Sequence, residues 1–147
     1  MKQFTFFMLL CCLGTGVFAS NPVVGERPLQ SFHSLFKNVQ NVVWASGKDY
    51  CDVSFQTEGK LMKARFDNAG NLIQTIRYYK EENLPVFVRQ RIHKQYSGCE
   101  IYGVTELSTK DALTYTFSLR NNRHLFVVIS DLNGDVISSK KYIRSES

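Results

Sequence analysis

A seven-residue segment, Asp67-Asn68-Ala69-Gly70-Asn71-Leu72-Ile73, returns 64 positions later as Asp131-Leu132-Asn133-Gly134-Asp135-Val136-Ile137. Asp, Gly and Ile recur in register, with apolar, strand-like sequence on both sides. An Asp that opens a turn accepts a backbone N–H two residues on, and a Gly takes φ > 0 without a Cβ clash. Each copy therefore reads as a type I turn closed by a left-handed glycine between antiparallel strands. One hairpin turn used twice restricts the chain to folds with two comparable halves. Asp67, Asn68 and Asn71 also offer oxygens to calcium. Such a loop alternates its ligands and ends in a bidentate Glu at position twelve, whereas position twelve from Asp67 is Tyr78.

The sequence around the turns supports the doubling. In a first unit, 28–80, Pro28 opens a helical pattern whose Leu29, Phe32, Leu35, Phe36 and Val39 form one apolar face, stopping near Asn38. Val42-Val43-Trp44 begins the strands. Cys51, Val53 and Phe55 then alternate with Asp52, Ser54 and Gln56. Glu58-Gly59 is a tight turn. Met62, Ala64 and Phe66 alternate with Lys63 and Arg65, and 72–79 closes the unit. Period-two alternation gives each strand one buried and one wetter face. A second unit, 84–144, repeats the plan. Leu84-Pro85 starts a helix with Val88, Ile92 and Tyr96 on its stripe, Ser97-Gly98 ends it, and four strands follow. The offset between units drifts from 60 at the helices to 64 at the turns, as slightly longer loops require. The expected fold is α+β: tandem helix-plus-four-strand repeats forming one antiparallel sheet with both helices on one face. The strand 125–129 is apolar on both sides, which predicts a central position covered on both faces.

Residues 1–19 read as a signal peptide: Lys2, an apolar run over 4–17 and a Val17-Phe18-Ala19 cleavage signal, with cleavage expected after Ala19. The run is short for a retained membrane anchor. The remaining 20–147 suits a single domain. The expected location is periplasmic or secreted, with no membrane span after signal removal. The chain carries a net charge of +5, and Lys2 is the only charge in 1–19, which leaves +4. These charges are too scattered for a nucleic-acid footprint. Cys11 and Cys12 leave with the signal. Cys51 and Cys99 remain and either form one disulfide in an oxidising compartment or serve as two small apolar residues.

No catalytic pattern emerges. His33 and His93 occupy equivalent helix positions, so repetition explains them, and His124 stands apart. No CxxC, HxxxH or HExxH spacing points to zinc, and no glycine-rich phosphate loop occurs. No cofactor is expected. Trp44, the single tryptophan, is expected in the core under the first helix. If Leu72, Ile76 and Tyr78 face inward, Arg77 and Tyr79 face out on the side away from the helices, and Lys141 is the counterpart of Arg77. Tyr, Arg and Lys on an open sheet face have the composition of binding hot spots.

Phe36-x-x-Val39-x-x-Val42-x-Trp44, then Phe66-Asp67-x-x-Gly70, then Leu84-Pro85 and Tyr96-x-Gly98, resemble the PepSY-like family of β-lactamase-inhibitor-like periplasmic proteins. The resemblance spans nearly all of 20–147. Lys37 and Ser97 depart from it, since the family often has Pro after the aromatic residue that ends each helix. The resemblance implies tandem helix-plus-four-strand units in a curved antiparallel sheet, export in Gram-negative bacteria, and relatives that bind proteins, hydrolases among them, on the open sheet face. It transfers no functional residue. The resulting expectation is a non-enzymatic binding protein whose open sheet face meets a protein or cell-envelope component. The alternatives are an inhibitor or propeptide-like regulator of a secreted hydrolase, and a small-ligand carrier.

Overall fold

The structure is a computed structural model in which residues 23–144 are described. The segment 1–19 and its cleavage after Ala19 lie outside the described residues. Element order is α1 (Glu26–Leu35), β1 (Gln40–Ser46), β2 (Tyr50–Thr57), β3 (Lys60–Asp67), β4 (Leu72–Tyr79), a 3-10 turn (Glu81–Asn83), α2 (Val86–Gln95), β5 (Glu100–Thr109), β6 (Leu113–Arg120), β7 (His124–Asp131) and β8 (Val136–Ile143). The eight strands form one open antiparallel sheet in which every strand pairs with its sequence neighbours. Among the described residues no helix is long and apolar enough to cross a membrane.

Both helices lie on one face of the sheet. Phe32 of α1 packs edge-on against Phe55 of β2 and Trp44 of β1, at 5.1 and 5.3 Å between ring centroids. Val53, Phe55, Met62, Ala64 and Phe66 complete this first core. Val88 and Ile92 of α2 join Val104, Tyr115, Phe117, Leu119 and Val128 in a second. Cross-strand register ties the two to the same side: Phe55 pairs with Met62, Met62 with Arg77, Arg77 with Glu106, and Glu106 with Tyr115. The helix α1 starts two residues before Pro28 and ends at Leu35, where Phe36 turns extended, and Asn38 at φ +53° leads the chain on to β1. Phe36 and Val39 nevertheless pack on the first core.

The repeated turns do more than reverse the chain. Gly70 and Gly134 have φ +88° and +82°. Asp67 accepts the backbone N–H of Asn71 at 2.8 Å and the Asn71 amide at 2.8 Å, so its two oxygens are committed within the turn. Asp131 accepts the N–H groups of Asn133 and Asp135. Each glycine sits against a helix: a Cβ on Gly70 would lie 2.9 Å from the Arg27 carbonyl oxygen of α1, and one on Gly134 would lie 3.4 Å from Val88 Cα of α2. The turns seat the helices on the sheet.

One expectation fails at β7. It is the next-to-last strand, not a central one. Phe126 and Val128 face the helices, while Leu125, Val127 and Ile129 form a half-buried apolar stripe on the face without helices.

Candidate functional site

Arg77, Tyr79 and Lys141 were expected on the open face, and the structure puts all three on the helix face. The cause is a one-residue bulge. Phe66 pairs with Leu72, but Arg65 pairs with Gln74, so Ile73 is an extra residue in β4. An extra residue turns every later side chain to the other face. Leu72 therefore lies on the side of Phe66, as expected, and beyond Ile73 it is Thr75, Arg77 and Tyr79 that follow on that side. The same shift recurs in β8, where Ser130 pairs with Val136 and Ile129 with Ser138. Lys141 is then opposite Phe126 and sits 5.9 Å above its ring. Four strand spacings of about 4.8 Å separate β4 from β8, so Lys141 does not join Arg77 and Tyr79.

Arg77 and Tyr79 do meet, at the junction of the two cores. The Tyr79 hydroxyl donates to Glu106 Oε2 at 2.7 Å, and an Arg77 guanidinium nitrogen lies 3.5 Å from Glu106 Oε1. Glu106 is only 8 % exposed. Burial first, and the bond to Glu106 second, push the Tyr79 phenol far above its ordinary range. Burial and the Glu106 charge also raise Tyr115. Above this trio a cleft of ≈ 370 Å³ opens, lined also by Phe36, Lys37, Lys60 and Met62. The cleft's lining is mixed polar and apolar rather than a deep apolar pocket.

The open face is built from the other halves of the alternation. Arg65 forms a bidentate pair with Asp52 at 2.7 and 2.8 Å, and its guanidinium stacks 4.0 Å from the centre of the Tyr50 ring. Arg120 holds Glu100 with two bonds and lies 5.3 Å from the Tyr102 ring. Those bonds keep the Glu100 carboxyl below the ordinary carboxylate range. Between the two arrays runs a cross-strand row of Leu61, Tyr78, Thr105, Thr116 and Ile129. A depression of ≈ 180 Å³ is lined by Asp52, Arg65, Ile76 and Tyr78 among others. Each ion pair is open to solvent and screened by it, so its contribution to stability is small. What the pairs provide is fixed orientation of planar, sticky groups on a rigid sheet. Alternation in β2 and β3 already pointed Asp52 and Arg65 outward; Tyr78 was missed because the bulge is silent in the sequence.

The remaining candidates are structural. Trp44 packs in the first core. His93 lies 3.1 Å from Glu81, and His33 packs edge-on against Phe32. Among the described residues no group of acidic, His and Cys side chains could hold a metal ion. Cys51 and Cys99 are both free. Cys51 is buried in the first core and Cys99 packs against the second. Cys51 lies in β2 and Cys99 just before β5, three strand spacings or roughly 14 Å away, beyond the reach of a disulfide. Burial, then the charges of Asp52 and Asp67, raise the Cys51 thiol above its ordinary value.

No protein-family model matches the chain, and no curated protein is similar to it. Several solved structures share the fold. A BLIP-like protein of Bacteroides fragilis superposes with a TM-score of 0.70 at 14% identity, over 86% of this chain and 92% of that one. A DUF2874 family protein of Bacteroides ovatus gives 0.69 at 13%, over 82% and 89%. A protein of Bacteroides eggerthii, provisionally described as periplasmic, gives 0.68 at 10%, over 82% and 90%. At these identities the likeness is one of fold.

Proposed function

We propose that this chain is an exported, non-enzymatic protein-binding module that presents its helix-free sheet face to a protein of the cell envelope. The observation that carries this reading is the open face itself: Tyr50 and Tyr102, with Arg65 and Arg120 oriented by acidic partners, flank the cross-strand row of Leu61, Tyr78, Thr105, Thr116 and Ile129. Tyr and Arg are enriched among interface hot spots, Tyr through a large ring with two torsions and Arg through a planar fork of hydrogen-bond donors. Arg77, Tyr79 and Lys141 leave the proposed face, and Arg65, Tyr78 and Arg120 replace them. Export rests on the 1–19 pattern, and the periplasmic description of the Bacteroides eggerthii neighbour supports it. We read the chain as two copies of one unit, 28–80 and 84–144, with PepSY-like membership carried by the motifs. Matching bulges 64 positions apart and matching turn–helix contacts support the duplication.

A photo-crosslinking residue placed at Tyr78, Thr105 or Thr116, against one at Gln90 on the outer side of α2, tests the face in intact cells. Adducts with a defined protein at the three sheet positions and none at Gln90 are expected. Adducts at Gln90 alone would overturn it. The BLIP-like name of one neighbour favours a second reading, inhibition of a secreted hydrolase. In that case the crosslinked partner is a hydrolase whose activity falls in proportion to added protein.

A further inference from the structure

The cleft over the junction of the two cores lies on the face opposite the proposed protein-binding surface and has a chemistry of its own. Three cationic side chains, Lys37, Lys60 and Arg77, line it against two carboxylates, Glu58 and Glu106. Glu106 lies at its floor, with one oxygen taken by the Tyr79 hydroxyl and the other facing Arg77. Arg77 is 50 % exposed, and its pairing with Glu106 is long, at 3.5 Å. Among the described residues that long contact is its one polar partner, so its N–H fork stays open to the cleft. Lys60 is the next residue beyond the Leu61–Tyr78 pair and so comes beside Tyr79 on the same face. Met62, Phe36 and the Tyr79 ring supply the apolar part of the wall.

We propose that this cleft binds a small carboxylate with an apolar body, Arg77 and Lys60 holding the carboxylate and Met62, Phe36 and Tyr79 holding the body. A guanidinium fork matches the two oxygens of a carboxylate in plane and spacing. The cationic excess is a single charge, which suits a monoanion better than a doubly charged phosphate. A cationic ligand is disfavoured because Glu106 is shielded by Arg77 and Tyr79, which leaves Glu58 alone against three cations. The volume of ≈ 370 Å³ lies in the range of small-molecule sites, about 300–1,000 Å³. A buried carboxylate met by a half-exposed guanidinium is a poor way to stabilise a junction that apolar side chains could fill. A recognition role accounts for keeping it.

Nitrogen-resolved NMR of the intact protein, titrated with N-acetylphenylalanine, benzoate and hexanoate and with the amide of each, tests the site. The acids are expected to give saturable shifts centred on Arg77, Lys60 and Met62, and the amides none. Arg77→Gln should weaken binding at least tenfold and Lys60→Gln several-fold. Lys60→Gln carries no folding risk, since Lys60 pairs with no buried charge. A pentapeptide with a free C-terminus, against its amide, tells a chain end from a free acid, and the carboxylate site stands in either case. Equal shifts from acids and amides, no shifts from any acid, or a Lys60→Gln protein that binds as wild type would overturn the assignment.

Discussion

Replacing Gly70 by Ala tests whether the repeated turn seats the helix. At φ +88° an alanine is strained by about 1–2 kcal/mol. Its Cβ would also stand 2.9 Å from the Arg27 carbonyl oxygen and 2.9 Å from Ser31 Oγ. The hydroxyl can rotate away, but the carbonyl belongs to the first turn of α1 and cannot. The helix must lift, which loosens Phe32 against Phe55 and Trp44. Such overpacking costs about 1–3 kcal/mol, so the total is about 2–5 kcal/mol. Gly59 supplies the control. It has φ +72°, and nothing lies within 4 Å of its added Cβ, so Gly59→Ala carries the strain alone. Gly134 is intermediate, with contacts of 3.4 Å to Val88 and Arg91. Urea unfolding followed by circular dichroism, with the m-value held constant, should rank the losses as Gly59→Ala, Gly134→Ala, then Gly70→Ala. At roughly 4 °C per kcal/mol for a chain of this size, Gly70→Ala should lower Tm by roughly 8–20 °C and Gly59→Ala by roughly 4–8 °C. Equal losses at Gly70 and Gly59 would refute the seating of α1 by the turn.

Two further measurements bear on the frame. The Asn71 side-chain amide and then its backbone N–H depress the Asp67 carboxyl below its ordinary 3.8, and the backbone N–H of Asp135 does the same for Asp131. A carboxylate depressed in the folded state stabilises above its unfolded value and loses that contribution as pH falls toward the depressed one. The Tm gap between wild type and Asp67→Ala should therefore be full at about pH 5 and close below pH 3.8, and a gap that widens with acid would contradict the turn geometry. Alkylation of the native protein with peptide mass mapping should label half-buried Cys99 before buried Cys51, and both in denaturant. A Cys51–Cys99 peptide pair resistant to alkylation would reinstate the disulfide.

Much of the frame is legible in the residues. The alternation of Cys51, Val53 and Phe55, and of Met62, Ala64 and Phe66, gives the buried face of β2 and β3 directly. Val88 and Ile92 are the buried pair of α2. The turns at Gly70 and Gly134 are where the Asp-x-x-Gly spacing places them. What fails is phase. Ile73 and Ile137 are strand-forming residues within strand-forming sequence, and nothing in their identity marks them as the unpaired ones. Comparing the halves gives no warning, because the same bulge stands in both and the same wrong face follows for Arg77 and Lys141. The pairing of Arg77 with Glu106 is long-range and depends on that phase, so the polar junction was invisible until the register was known.

The bulges also explain how one strand serves two purposes. Were β4 regular beyond Leu72, Ile76 and Tyr78 would point toward the helices, and Arg77 would be on the open side. The two cores would then meet across the β4–β5 junction through apolar side chains. With Ile73 inserted, the junction instead receives Thr75, Arg77 and Tyr79 opposite Ser108, Glu106 and Val104. This polar strip ends each core, leaves the space between Phe36 and Asn83 of the 3-10 turn unfilled, and keeps Glu106 buried with its partners. The side chains displaced by the same shift, Ile76 and Tyr78, become the apolar centre of the helix-free face. A single extra residue thus accounts for the cleft on one side and for the outward turn of Ile76 and Tyr78 on the other. Deleting Ile73 should then abolish both together while leaving a protein with the same number of strands.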